Sequence, residues 1–215
     1  MRTTPIICIL LVLSFSLRAQ TSAKEFSVAV TVKPVHSLVA GIMKGAGEPS
    51  LIMSTGASPH HYSLRPSERR ALARASLIFW VGPELETFMP RMLDSIDPTS
   101  TNVALIEAKG LLRLPARTVH QHPKAQSRTD PHIWLSADNA RIMVDTIADE
   151  LIHLDAVHAD TYEANRRRLH QHISETDGQI QRKLSGKTSD FLSYHDAYQY
   201  FEKAYGLNNA GFVSS

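Results

Sequence analysis

Short apolar runs alternate with stretches of helical periodicity through the first half of this chain, and that alternation limits the folds open to it. Residues 26–32 are rich in Val and read as a strand. Pro34 then opens a helix with Val35, Leu38, Val39, Ile42 and Met43 on one face, closed by Gly45 and Gly47. Residues 51–53 read as a short buried strand and residues 54–65 as a loop. Pro66 opens a second helix with Ala71, Leu72 and Ala75 on its inner side. Residues 77–81 are the next strand, ended by Gly82-Pro83. Residues 84–96 read as a helix carrying Leu85, Phe88, Met89, Met92 and Leu93, and residues 102–106 as another strand. Strands alternating with helices imply an α/β fold with a parallel sheet and right-handed crossovers. Short strands that are apolar throughout fit a sheet covered on both faces.

The pattern then changes. Residues 115–130 are polar, contain Pro115, His120, His122 and Pro123, and read as an exposed loop. From Asp138 the chain turns helical, with Ala140, Met143, Ile147, Leu151 and Leu154 on one face. After Asp155 a second helix carries Tyr162, Leu169, Ile173, Ile180 and Leu184 in an otherwise charged sequence. It runs to about Ser185, roughly 26 residues or ~39 Å. A thin stripe on a long polar helix points to a strut lying across or between lobes. A coiled-coil partner is the competing reading, against which the stripe spans few heptads. After Gly186 the βα pattern resumes, with a strand at residues 190–194 and a helix at residues 197–205. The expected organisation is an N-terminal α/β lobe at residues 24–155, a rigid linking helix at 156–185 and the start of a C-terminal α/β lobe at 186–215. That last stretch is shorter than the ~40 residues a lobe needs to stand without disulfides or metal. The chain therefore reads as a C-terminally truncated form of a longer protein.

Composition narrows the function. The 215 residues carry 23 Lys+Arg against 21 Asp+Glu, and no basic run exceeds Arg166-Arg167-Arg168, so there is no nucleic-acid footprint. Residues 1–23 differ from the rest: Arg2, then an apolar run from Ile6 to Leu17, then small residues with candidate cuts after Ala19 or Ala23. The run is too short for the ~20 residues of a bilayer span and reads as a secretory signal peptide. The single Cys, Cys8, lies inside it, so the exported chain has neither a disulfide framework nor a Cys-based zinc finger. No other apolar run reaches membrane-spanning length, and a soluble exported protein is expected. The one excess is His, at 11, so a bound metal would have to be held by imidazole and carboxylate.

Three of these histidines share a context. His60 lies past the end of one strand, His132 at the end of the polar loop, and His195 directly after the strand at 190–194. Open α/β sheets bind ligands at the carboxyl ends of their strands, so the three could converge in a cleft. Asp130 and Asp196 are candidate acceptors for the ring N–H groups of ligating histidines, or alternatively a turn cap and a helix N-terminal charge. His61 is a spare or alternative ligand, and His120 with His122 could gather metal loosely or belong only to a solvated loop. His36, His153, His158, His170 and His172 read as structural or solvent-facing.

The segments Pro59-His60-His61-Tyr62, Asp130-Pro131-His132-Ile133-Trp134-Leu135-Ser136 and His195-Asp196-Ala197-Tyr198-Gln199-Tyr200-Phe201-Glu202 resemble the signature stretches of the ZnuA-like metal solute-binding family. Trp80-Val81-Gly82-Pro83-Glu84-Leu85-Glu86 and Ser63-Leu64-Arg65-Pro66-Ser67 resemble family segments too, so the likeness runs in order from Phe26 onward. The resemblance implies two α/β lobes joined by a long rigid helix, with metal held between them by His60, His132 and His195. It implies a monomeric periplasmic carrier that captures Zn(II) and delivers it to the inner-membrane permease of an ABC uptake system, without catalysis. A manganese- or iron-binding relative or adhesin of the same family is the alternative, and a three-His zinc hydrolase is the rival from another class. Three imidazoles with one further ligand suit zinc, whereas manganese prefers oxygen. No His-Glu-x-x-His or nucleophile elbow supports hydrolysis.

Overall fold

The computed structural model describes residues 26–53, 62–117, 128–187 and 190–214, and the expected signal peptide lies outside them. Strands β1 (Val28–Val30), β2 (Ser50–Leu51), β3 (Leu77–Trp80) and β4 (Thr101–Ala104) form a parallel sheet in the order β2-β1-β3-β4. Ala29 pairs with Ser50 on one side and Ile78 on the other, and Phe79 pairs with Val103. Every residue of the two central strands is buried, as a sheet with helices on both faces requires.

The first two helices begin where proline predicts. Helix α1 (Lys33–Met43) buries Val35, Val39, Ile42 and Met43, and α2 (Pro66–Arg74) buries Leu72. In α2 the Glu68 carboxylate accepts the Arg65 N–H at 2.7 Å, satisfying one of the free donors at the helix start.

The helix expected over residues 84–96 is corrected to α3 (Met89–Leu93), of five residues. Two features stop it forming earlier. Pro90 has no N–H to offer a carbonyl one turn back, and its ring crowds that position. The Glu86 side chain also turns inward. Its Oε1 accepts from the Thr31 hydroxyl at 2.5 Å and the Val81 N–H at 3.1 Å, and its Oε2 from the Gly82 N–H at 3.0 Å. Burial pushes this carboxyl above the usual carboxylate range, and the three donors oppose the shift.

The Ser136 hydroxyl accepts the Asn139 N–H at 3.3 Å and starts α4 (Ala137–Leu154), which buries Met143, Val144, Ile147, Ala148 and Leu151. Helix α5 (Ala159–Leu184) has the 26 residues that its periodicity predicts. Tyr162, Leu169 and Ile173 of its stripe are covered by the chain itself, because α5 packs on α1 and α4. Gly41 allows that approach: a Cβ there would lie 2.9 Å from Leu169 Cδ1. Buried Asn165 donates from Nδ2 to the carbonyls of Ile42 and Lys44, at 2.7 and 2.8 Å, and so satisfies the end of α1.

Beyond Gly186, β5 (Phe191–His195) and β6 (Asn209–Ser214) pair in parallel, with α6 (Gln199–Tyr205) as the crossover. Strand β6 has no counterpart in the sequence reading; its Asn-Ala-Gly opening hides the strand character of Phe212 and Val213. Two parallel sheets with flanking helices, the second smaller, are thus joined by a long helix, the α/β organisation expected from the sequence.

Candidate metal centre

Two histidines reach one point from separate parts of the fold. His132 begins the short turn Ile133–Leu135 ahead of α4, and His195 is the last residue of β5. Their Nε2 atoms lie 3.3 Å apart, with the rings edge to face at 74°. Two nitrogens at ~2.0–2.1 Å from a tetrahedral ion are about 3.3 Å from one another, so this spacing is one edge of a zinc tetrahedron.

His132 is held from several sides. Asp130 Oδ1 accepts the His132 backbone N–H at 3.0 Å and lies 2.7 Å from His132 Nδ1. A carboxylate there favours the proton on Nδ1, so that Nε2 carries the lone pair a metal ion would take. Asp130 and His132 are both buried, and Trp134 lies against the imidazole with ring centroids 5.4 Å apart.

The segment leading to Asp130 is not a free loop at its base. Pro115 bridges Thr129, the Ala116 N–H donates to the Arg128 carbonyl at 2.8 Å, and the Asp130 N–H donates to the Leu114 carbonyl at 2.8 Å. The expected exposed loop is therefore corrected at its ends to a short antiparallel ladder, closed by hydrogen bonds the sequence pattern does not signal.

Helix α6 grips that ladder. The Tyr200 hydroxyl donates to the Asp130 carbonyl at 2.8 Å and accepts the Leu114 N–H at 3.0 Å. Burial pushes its phenol up to about 12, so it remains a donor at physiological pH. Gln199 Nε2 donates to the Pro115 carbonyl at 2.9 Å. The Arg117 guanidinium bonds both oxygens of buried Glu202 and lies 3.3 Å from Asp196 Oδ1. Burial raises the Asp196 carboxyl, with Arg117 opposing and Asp130 and Glu202 adding to the rise. The hydrogen bonds that Arg117 donates to Glu202 hold the guanidinium charged more firmly still.

His60, His61, His120 and His122 lie outside the described residues. Tyr62, the first described residue after His61, is anchored: its hydroxyl donates to Glu68 Oε1 at 2.7 Å and its ring lies 5.9 Å from that of Phe88. Among the described residues no group of three His, Cys, Asp or Glu side chains is arranged to hold a metal ion. The structure brings together the His132–His195 pair, with Asp130 on one ring and Asp196 on Arg117. The remaining described histidines lie elsewhere. His36 Nε2 is 3.0 Å from the Pro49 carbonyl, His158 Nδ1 2.7 Å from Asp155, and His170 Nε2 2.8 Å from Asp145.

Sequence reasoning misses Tyr200, Arg117 and Glu202. Tyr200 acts across separations of 70 and 86 residues and Arg117 across 79 and 85, which no local spacing signals.

Comparison with known proteins agrees with this layout. The family described as "Zinc-uptake complex component A periplasmic" matches residues 28–215. The high-affinity zinc uptake system protein ZnuA of Brucella abortus (strain 2308) is 32% identical, over 87% of this chain and 67% of its own length. Among solved structures, the Zn(II)-bound ZnuA-like domain of Streptococcus pneumoniae AdcA superposes with a TM-score of 0.73 at 21% identity, covering 88% of this chain and 67% of that one. The SBP FpvC from Pseudomonas aeruginosa in complex with Mn2+ gives a TM-score of 0.77 at 23% identity, covering 88% and 69%. At these identities the two structures establish the fold alone.

Proposed function

The chain belongs to the ZnuA family of periplasmic zinc-uptake components, and from that membership we propose that it captures Zn(II) with His60, His132 and His195 and passes it to the permease of an ABC uptake system in the inner membrane. The observation that carries the reading is the 3.3 Å separation of the His132 and His195 Nε2 atoms, with Asp130 fixing the ligating tautomer of His132. Imidazole is a borderline donor that suits zinc, and two rings at a tetrahedral edge leave room for two further ligands. His60 is assigned as one of them. The role is carriage: the ion is cargo, and the family works without turnover.

Isothermal calorimetry of the metal-free protein tests the proposal. Stoichiometric zinc binding is expected for the wild type and for His153→Ala, and binding far below wild type for His60→Ala, His132→Ala and His195→Ala. Equal effects of all four substitutions would defeat the ligand assignment. A clear preference for Mn(II) over Zn(II) in competition would overturn the choice of metal, and chelator-sensitive turnover of ester or carbonate substrates would overturn carriage.

A further inference from the structure

Three carboxylates, Asp130, Asp196 and Glu202, lie close enough to sense one another beside the histidine pair. Asp130 is engaged by His132, through both the backbone N–H and the ring. Glu202 is engaged by Arg117 and by Asn209 Nδ2 at 3.0 Å, itself bonded to Ser193 Oγ at 3.0 Å. Asp196 directly follows His195, its side chain is only 12% exposed, and Arg117 Nη1 lies 3.3 Å from its Oδ1. Arg117 is not a mobile surface cation. Glu202 binds it through both carboxylate oxygens, and a forked pair of that kind fixes the guanidinium plane as well as its position.

We propose that Arg117 is a specificity-determining positioning residue: it holds the Asp196 carboxylate away from the metal and so keeps the coordination sphere rich in imidazole. The proposal rests on the zinc-binding reading above. An aspartate next to a ligand on the chain is a ready oxygen donor for a divalent cation. Oxygen donors shift a site from tetrahedral nitrogen coordination, which suits zinc, towards the higher coordination that manganese and other hard cations favour. With its guanidinium anchored on Glu202, Arg117 gives Asp196 a competing partner. A neutral side chain at position 117 releases the carboxylate beside a dication that attracts it.

The experiment uses Arg117→Met, which keeps the length of the side chain without its charge, and the double variant Arg117→Met/Asp196→Asn. Zn(II) and Mn(II) affinities come from competition with a chromophoric chelator, and coordination number from the visible absorption of the Co(II) form. Arg117→Met is expected to move the Zn/Mn affinity ratio towards manganese by about tenfold, the scale on which residues behind the ligands act. Its Co(II) bands should weaken as an oxygen ligand joins, and the double variant should restore both readings. An unchanged ratio and spectrum in Arg117→Met, or a double variant identical to the single one, overturns the proposal. Arg117→Lys retains the charge without the fork and gives a smaller shift in the same direction. It carries the test if circular dichroism shows Arg117→Met unfolded, and no shift there is equally fatal. Failure of the wild type to bind zinc, or zinc binding by His195→Ala equal to wild type, instead sinks the metal-site reading.

Discussion

The two lobes place their histidines in unlike settings. The four-stranded sheet is buried through both central strands, and its core continues through α4 to the turn that holds His132. The two-stranded sheet that ends in His195 exposes Leu192, Tyr194 and Val213 at 75, 77 and 77%. A parallel pair covered on one face gains little from apolar burial, since stabilisation scales with the apolar area removed from water. Yet the two histidines meet within hydrogen-bonding distance. The weaker sheet is held in place by polar contacts: Tyr200 and Gln199 on the ladder, and Arg117 on Glu202 and Asp196. One side of the centre is built by hydrophobic packing, and the other joins it through buried Tyr200 and a few directed hydrogen bonds.

This contrast can be broken most forcefully in the buried sheet. Phe79→Ala should destabilise the protein by about 3–5 kcal/mol in urea unfolding, because Phe79 is fully buried in β3. A loss under about 1 kcal/mol would mean that the first sheet is not the stable one. Tyr200→Phe should cost about 1–3 kcal/mol, since the Leu114 N–H and the Asp130 carbonyl both lose their hydroxyl partner. It should also lower zinc affinity in calorimetry, and unchanged affinity would detach α6 from the centre.

Glu86→Gln sharpens the comparison through pH. Burial raises the Glu86 carboxyl, so the folded state binds its proton more tightly than the unfolded chain does. The contribution is fully present below the unfolded value and is lost as pH rises through the folded one. Wild-type stability should therefore decline as pH leaves the ordinary carboxylate range, by no more than the linkage of one proton. The Gln variant should lack that component, and an identical pH profile for both proteins would refute the assignment. The smallest effect belongs to the open sheet: Leu192→Ala should change stability by less than about 0.5 kcal/mol. A larger loss in the same unfolding assay would show that this face is covered in solution.

The parts legible in the sequence are those governed by local rules. Pro34 and Pro66 announce helix starts, the spacing of Tyr162, Leu169 and Ile173 announces α5, and Val-rich runs announce the central strands. Asp130, two residues before His132, is readable as a partner because that separation lets a carboxylate reach its neighbour's ring. Illegible parts depend on distant chain. The inward turn of Glu86 needs Thr31, 55 residues earlier, although Pro90 is a local signal against a helix running from residue 84. Arg117 reads as loop charge until the fold brings Glu202 beside it.

The pairing of His132 with Asp130 has a consequence for its neighbour. With the His132 proton committed to Nδ1, its Nε2 accepts, so the bond across 3.3 Å requires the proton on His195 Nε2. Under the proposed ligand assignment, His132 would meet the ion in the form that binds it, whereas His195 would first have to vacate its Nε2. On that assignment a single hydrogen would hold the place of the cargo, and of these two histidines only His195 would exchange it on loading. Nitrogen-15 chemical shifts should record this as a tautomer change at His195 with none at His132, and the reverse pattern would contradict it.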